Sequence, residues 1–302
     1  MGDIVSTAVS FILLIFISYF LKTKGVFTNE AKKFLSSVII NLCLPCVILN
    51  GFRDFDYDNS LILAIFICIF ISIVSLILGY LISRKRNRDS KILHMMNGCG
   101  YNIGIFTIPF VSNFLSSTAV VCALMFDIGN AIFVFGALSA ATSFVVDNNR
   151  SNPIPVICKK LFTNIPFVVY MILLLLLALN ITPPSFIYPF VELCSGATSF
   201  LAMIMIGLMI EFKINFSEIK EIASTLIFRY SISLVSAILI FQLPMFEHEL
   251  KKALIIAVFS PMSTACVVYT EKLKCKPSLI GAVSSLSIVI SIVAIISIII
   301  FI

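Results

Sequence analysis

Ten stretches of nearly unbroken apolar residues alternate with short polar connections along the chain. At about 20 apolar residues per bilayer crossing, they run over 4–21, 30–51, 60–83, 92–113, 118–146, 162–181, 185–211, 219–243, 251–271 and 278–301. The pattern predicts an all-α polytopic membrane protein with ten transmembrane helices. The first run lacks a basic leader and a small-residue cleavage site, so it reads as a retained span rather than a signal peptide.

The basic residues test that count independently. With the N-terminus outside, 17 of the 21 Lys and Arg fall in connections on the cytoplasmic side, and Arg53, Lys251 and Lys252 fall opposite. Arg229 lies inside a span. Such a bias orients a membrane protein, and it places both termini outside an expected plasma (inner) membrane. One miscounted span would scramble it.

The longest polar interruption is at 147–160, near the midpoint. It divides the chain into a first five-helix repeat (1–146), a cytoplasmic linker (147–161) and a second five-helix repeat (162–302). Five is odd, so the second set enters the membrane with inverted polarity. The fourth member of each set carries a central proline, Pro109 in one and Pro261 in the other. The second members pair loosely through Pro45 and Gly196. Interruptions at matching positions of two halves point to a midplane binding site.

The fourth segment is the least lipid-like. Residues 97–110 carry Asn97, Asn102, Gly98, Gly100, Gly104, Thr107 and Pro109. Pro109 lacks an N–H and its ring crowds the carbonyl of Ile105. Irregular backbone at membrane depth persists only inside protein or beside a wet cavity.

Composition adds the class and removes others. Hydrophobic residues make up 60% of the 302, charged residues 12%, and mean hydropathy is +1.12. Soluble domains are about half apolar. The net charge of +6 comes from loop clusters rather than one basic face, which excludes nucleic-acid binding. Nine Cys lie mostly within apolar runs, as small buried hydrophobes do. No cofactor and no metal cluster are expected, and the chain is not expected to be an enzyme.

The candidate site follows from the broken segments. Asn102 and Thr107 sit at mid-depth in the fourth, and Ser263 and Thr264 beside Pro261 and Met262 in the ninth. Each hydroxyl or amide could orient a ligand or simply join helices. Asn41 could line the site or bond backbone freed by Pro45. Asp127 lies about 13 Å into the fifth segment at about 1.5 Å per residue. A carboxylate at that depth is functional by default; it carries a proton or sodium ion, pairs with Arg229, or bonds to Asn130. Arg229 could instead draw an anion inward. Cys43 and Cys46 form a Cys-x-x-Cys pair, the one hint of thiol chemistry, but they lie well inside a span. His94 and His248 sit at span edges and read as bland. Asp54, Asp56 and Asp58 read as a solvated loop.

These residues resemble the auxin efflux carrier family and its bacterial malate and malonate permease relatives. Asn102-Ile-Gly-Ile-Phe-Thr-Ile-Pro109 is similar to that family's Asn-Thr-Gly-Phe-Leu-Gly-Ile-Pro, and Asn41-Leu-Cys-Leu-Pro45 to its Asn-Leu-x-Leu-Pro. Phe126-Asp-Ile-Gly-Asn130 resembles Tyr-Asp-Leu-Gly-Asn. Ala202 to Met209 resembles the end of the seventh span, and Ser260 to Thr264 with Tyr269-Thr-Glu271 the ninth. Thr107 replaces a usual Gly, and Met262-Ser263 replaces small residues or a second Pro.

The resemblance implies a sodium/proton-antiporter-like fold with spans four and nine crossing at their prolines. Spans 1, 2, 6 and 7 would form a scaffold, able to pair as a homodimer, and spans 3–5 and 8–10 a mobile transport unit. The implied substrates are small organic anions such as indole acetate or dicarboxylates. The expectation is therefore a secondary carrier working by alternating access, elevator-like. An uncoupled facilitative pathway and a thiol oxidoreductase using Cys43 and Cys46 are the alternatives.

Overall fold

The computed structural model describes residues 2–53, 59–138, 140–142, 144, 154–179, 181–211 and 215–302. The acidic run 54–58 and the first part of the linker, 147–153, lie outside them. Among the described residues the only β contact is an isolated antiparallel bridge between Tyr101 and Met262; the rest is helix and connection.

Among the described residues, seven helical stretches are long and apolar enough to cross a membrane. The first is α1 (Gly2–Thr23). The second joins α2 (Asn29–Val38) to α3 (Leu44–Gly51) through a π-helical turn at Ile39–Cys43. Next come α4 (Asn59–Ser83) and α7 (Ser117–Ile132), the latter running into a π turn at Phe133–Leu138. The last three are α10 (Tyr188–Met209), α11 (Ile219–Gln242) and α14 (Pro277–Phe301). An eighth span forms if α8 (Ile154–Thr163) and α9 (Ile165–Ala178) are taken together across their 82° bend. Asn164 caps α9 by accepting from the Phe167 amide at 3.0 Å, and Pro166 occupies its first turn, where no N–H is needed.

The two expected segments that remain are the broken ones. α5 (Arg88–Asn97) and α6 (Ile108–Phe114) flank one break, with a π turn at Ile103–Thr107. α12 (His248–Val258) and α13 (Thr264–Lys272) flank the other. Neither reaches membrane length unbroken, which is why seven helices rather than ten meet that criterion. The first break falls at Gly98–Asn102, well before Pro109, which sits in the first turn of α6. The expected pairing of the second members is not observed: Gly196 lies inside the continuous helix α10.

Two prolines share one local solution. Pro45 and Pro109 each follow a five-residue π turn. Leu44 N–H bonds Ile39 O, and Ile108 N–H bonds Ile103 O. Widening the turn to i→i−5 relieves the clash between the proline ring and the preceding carbonyl.

The heaviest packing falls in two sets of helices, which also touch each other where α3 meets α7 and α6 meets α10. α1 and α3 pack on α10, and α9 on α3; α4 packs on α5 and α7, α12 on α7 and α11, and α14 on α11, α12 and α13. Glycines permit the closest approaches. A Cβ at Gly207 of α10 would lie 2.5 Å from the Ile15 carbonyl of α1, and one at Gly129 of α7 would lie 2.5 Å from the Ile65 carbonyl of α4. Small residues at helix crossings are the usual means of association where lipid supplies no hydrophobic drive.

Candidate functional site: the crossing of two broken helices

The two breaks meet back to back. Asn102 N–H donates to Pro261 O at 3.0 Å, and Ser263 N–H donates to Gly100 O at 3.3 Å. Each break thus satisfies backbone groups that its own helix has released, as buried backbone must. Asn130 of α7 extends the arrangement. Its Oδ1 accepts from Tyr101 N–H at 3.0 Å, and its Nδ2 donates to Tyr101 O at 2.8 Å.

The crossing separates charge. α5 and α12 present their C-terminal ends to one side, where uncapped carbonyls carry negative partial charge. Arg229 of α11 is almost fully buried there. Its guanidinium donates to Asn97 O, to Gly100 O at 3.0 Å and to Ser260 O at 2.7 Å, and stands 5.2 Å from the centre of the Tyr101 ring. Ser233 donates to Val258 O at 2.6 Å, Ser291 to Phe259 O at 2.6 Å, and Ser72 to Cys99 O at 3.3 Å. Side chains from three neighbouring helices therefore cap what the two half-helices leave open.

The positive ends face the other way. A cavity of about 110 Å³ opens against the starts of the second half-helices, with Asn102, Gly104, Ser263 and Thr264 in its wall. Asp127, Asn130, Asn164 and Tyr170 add to its polar surface. Asp127 accepts from Asn130 Nδ2 at 3.2 Å and from Tyr170 O–H at 3.1 Å. The Asn102 amide is 5% exposed, and its Nδ2 has no hydrogen-bond partner. A buried donor without a partner at a cavity wall is costly unless a ligand or water meets it.

The candidate residues divide accordingly. Asn102, Ser263, Thr264 and Asp127 line the cavity. Thr107 does not: its hydroxyl pairs with that of Ser260, joining the two breaks. Pro109, Pro261 and Met262 shape backbone outside the lining. Met262 is held by the bridge to Tyr101 and donates its N–H to Ser287 Oγ at 3.4 Å. Asn41 is exposed and donates to Ser37 Oγ at 3.0 Å. Arg229 bonds carbonyls, and Asp127 bonds Asn130, so the pairing of these two charges is not formed. Cys43 and Cys46 are free thiols; Cys43 adjoins Thr198, and both adjoin Cys194 of α10. Cys46 packs with Tyr188 and Val191. His94 is buried against Ser90 O at 2.9 Å and Ser224 Oγ at 3.1 Å.

Sequence reasoning missed Tyr170 and the serine caps. Tyr170 is the one polar side chain between Phe167 and Ala178, and Arg229 and Ser233 share a helix face at i, i+4. Both signals were present but carried no partner.

Comparison with known proteins points to membrane transport for the first half of the chain. Residues 3–142 match the family model of a membrane transport protein. A protein of Methanothermobacter thermautotrophicus called an uncharacterized transporter is 27% identical over 143 residues. That stretch is 46% of this chain and 47% of the relative, so the chain spans about half the length of the protein it matches. The first half of the chain thus carries the signature of a membrane transport family, and the protein is an integral membrane protein.

Proposed function

We propose that the chain is a secondary carrier of a small organic carboxylate, working by alternating access with ten spans in two inverted five-helix repeats. The observation that carries this reading is the unpartnered amide of Asn102 at a cavity faced by two half-helix N-termini. Such termini favour negative charge by roughly half a charge unit each, and backbone N–H groups there are ready donors. Ser263 and Thr264 stand on the opposite half-helix to complete the cradle.

A carboxylate would sit against Asn102, Ser263 and Thr264 in the cavity of about 110 Å³, and malonate and malate are the simplest anions that offer one. Asp127 would be neutralised, by a proton or a cation such as sodium, before an anion shares its cavity, because like charges in a low dielectric repel strongly. That is the basis for coupling.

The packing supports an elevator-like movement. Asp127 belongs to the group built on α4, α7 and α12, and Tyr170 to the group built on α1, α3 and α10. Their hydrogen bond crosses between the groups and must break when one slides. Both termini outside the plasma membrane, and a homodimer through α1, α3, α9 and α10, complete the reading.

The test is thermal melting of the purified protein in detergent with malonate, malate, indole acetate, bile acids and neutral controls, at two pH values. A ligand that binds the folded state raises its stability. Malonate or malate is expected to raise the melting point in wild type and not in Asn102→Ala. No shift with any anion would sink the substrate class. Transport that persists in Asp127→Asn without pH dependence would favour an uncoupled pathway.

A further inference from the structure

A second cavity lies on the outer flank of the protein, between α4 and α11, and nothing in the proposed carrier mechanism uses it. It is an open groove of about 920 Å³ with almost wholly apolar walls. Arg86 Nη1 donates to Ser224 Oγ at 2.7 Å, which fixes the end of α4 beside the start of α11, so the two helices run antiparallel. The wall on α11 continues the face of Ser224 through Phe228, Ser231, Val235 and Leu239 at helical spacing.

The groove is about as long as a bilayer's hydrocarbon core is thick. From Leu63 to Ile82 the α4 wall rises about 28 Å at about 1.5 Å per residue, close to the about 30 Å of a hydrocarbon core. Phe66 and Phe70 on its rim are 61% and 66% exposed.

Charge distinguishes the two ends. Arg84, Lys85 and Arg86 follow α4 directly, all exposed, and exposed Lys220 opens α11 at the same end. Arg86 is held over the groove's own helical face by Ser224. The acidic neighbour Glu221 pairs with His94 at 3.7 Å, and Glu218 accepts from Ser278 Oγ at 2.8 Å and pairs with Lys276 at 3.6 Å. At the far end Lys251 donates its ammonium to Phe241 O at 3.1 Å, beside neutral Gln242. The basic end is the one that the Lys/Arg bias places on the cytoplasmic face, where anionic lipids concentrate.

We propose that this groove is a binding site for one anionic phospholipid, with acyl chain along α4 and α11 and headgroup phosphate against Arg84, Lys85 and Arg86. Planar guanidinium forks suit phosphate oxygens. The site is separate from the central cavity and holds whatever the carrier's substrate proves to be.

The test uses the full chain, delipidated in detergent and titrated with phosphatidylglycerol or phosphatidylcholine of matched acyl chains. Native mass spectrometry counts adducts, and thermal melting reads stabilisation. Phosphatidylglycerol is expected to form more adducts and to raise the melting point further. Arg84→Gln/Lys85→Gln/Arg86→Gln should equalise the two lipids, whereas Lys272→Gln/Lys274→Gln should keep the preference. Val235→Trp, which fills the groove from an exposed position without touching the basic end, should reduce adducts of both. Equal binding in wild type, or a preference that survives the triple substitution, overturns the headgroup assignment. Undiminished binding in Val235→Trp overturns the groove, as does a dimer that this substitution abolishes.

Discussion

Arg229 offers the sharpest test of the crossing. Replacing it with Met keeps an unbranched apolar stem of similar reach and removes every donor. The carbonyls of Asn97, Gly100 and Ser260 then stay buried without their cation. An unsatisfied buried acceptor costs about 1–3 kcal/mol; Gly100 O keeps the Ser263 N–H, so the losses at Asn97 and Ser260 give roughly 2–6 kcal/mol. The freed backbone can relax toward other donors, which favours the lower part of that range, about 2–4 kcal/mol. At about 2–4 °C per kcal/mol for larger domains, the melting point should fall by on the order of 10 °C. Arg229→Lys should fall between, because one ammonium cannot span three carbonyls. The assay is melting in detergent with and without the anion that stabilises wild type. If Arg229→Met melts within about 2 °C of wild type yet loses the ligand shift, the residue faces the ligand and the capping argument fails.

Other substitutions probe separate parts of the argument. Asn102→Ala should leave the unliganded melting point near wild type, since the amide loses no protein donor bond, while abolishing the anion-induced shift; a large drop without ligand would show a structural role instead. Gly129→Ala and Gly207→Ala each put a methyl against a backbone carbonyl on a facing helix, and overpacking of this kind costs about 1–3 kcal/mol, read as a lower melting point than a matched alanine substitution at the open position Gly196. Glu211, just past α10, gives a pH test. Partial burial alone would raise its pKa, but Lys22 and Lys32 at 3.4 and 3.6 Å override it and hold the carboxyl below its ordinary value. A depressed carboxyl contributes stability above its unfolded pKa and loses it as pH falls through the folded one. Glu211→Gln should therefore narrow the melting-point gap between neutral and acidic pH; an unchanged gap would remove the pair from the account.

Much of this protein is legible without coordinates, for reasons that are local. Lipid cannot satisfy a backbone, so a crossing that faces lipid in a helical protein is a long apolar helix, and among the described residues seven such helices stand where the hydropathy places them. The broken fourth and ninth segments were legible too, because Gly, Pro and Asn at mid-depth have no other use there. Asn102, Ser263, Thr264 and Asp127 could be nominated from depth and residue type alone. The partners could not. Whether Thr107 faces a ligand or Ser260, whether Arg229 meets Asp127 or three carbonyls, and that Tyr170 reaches Asp127 from a distant helix depend on how helices far apart in the chain rotate against each other. Rotation is set by small residues such as Gly129 and Gly207 and by interdigitating side chains, which no periodicity encodes. The exact break shows the same division: proline marks that a helix must yield, but the π turns and the backbone bridge between Tyr101 and Met262 decided where, because the freed carbonyls found their donors across the crossing and on neighbouring helices.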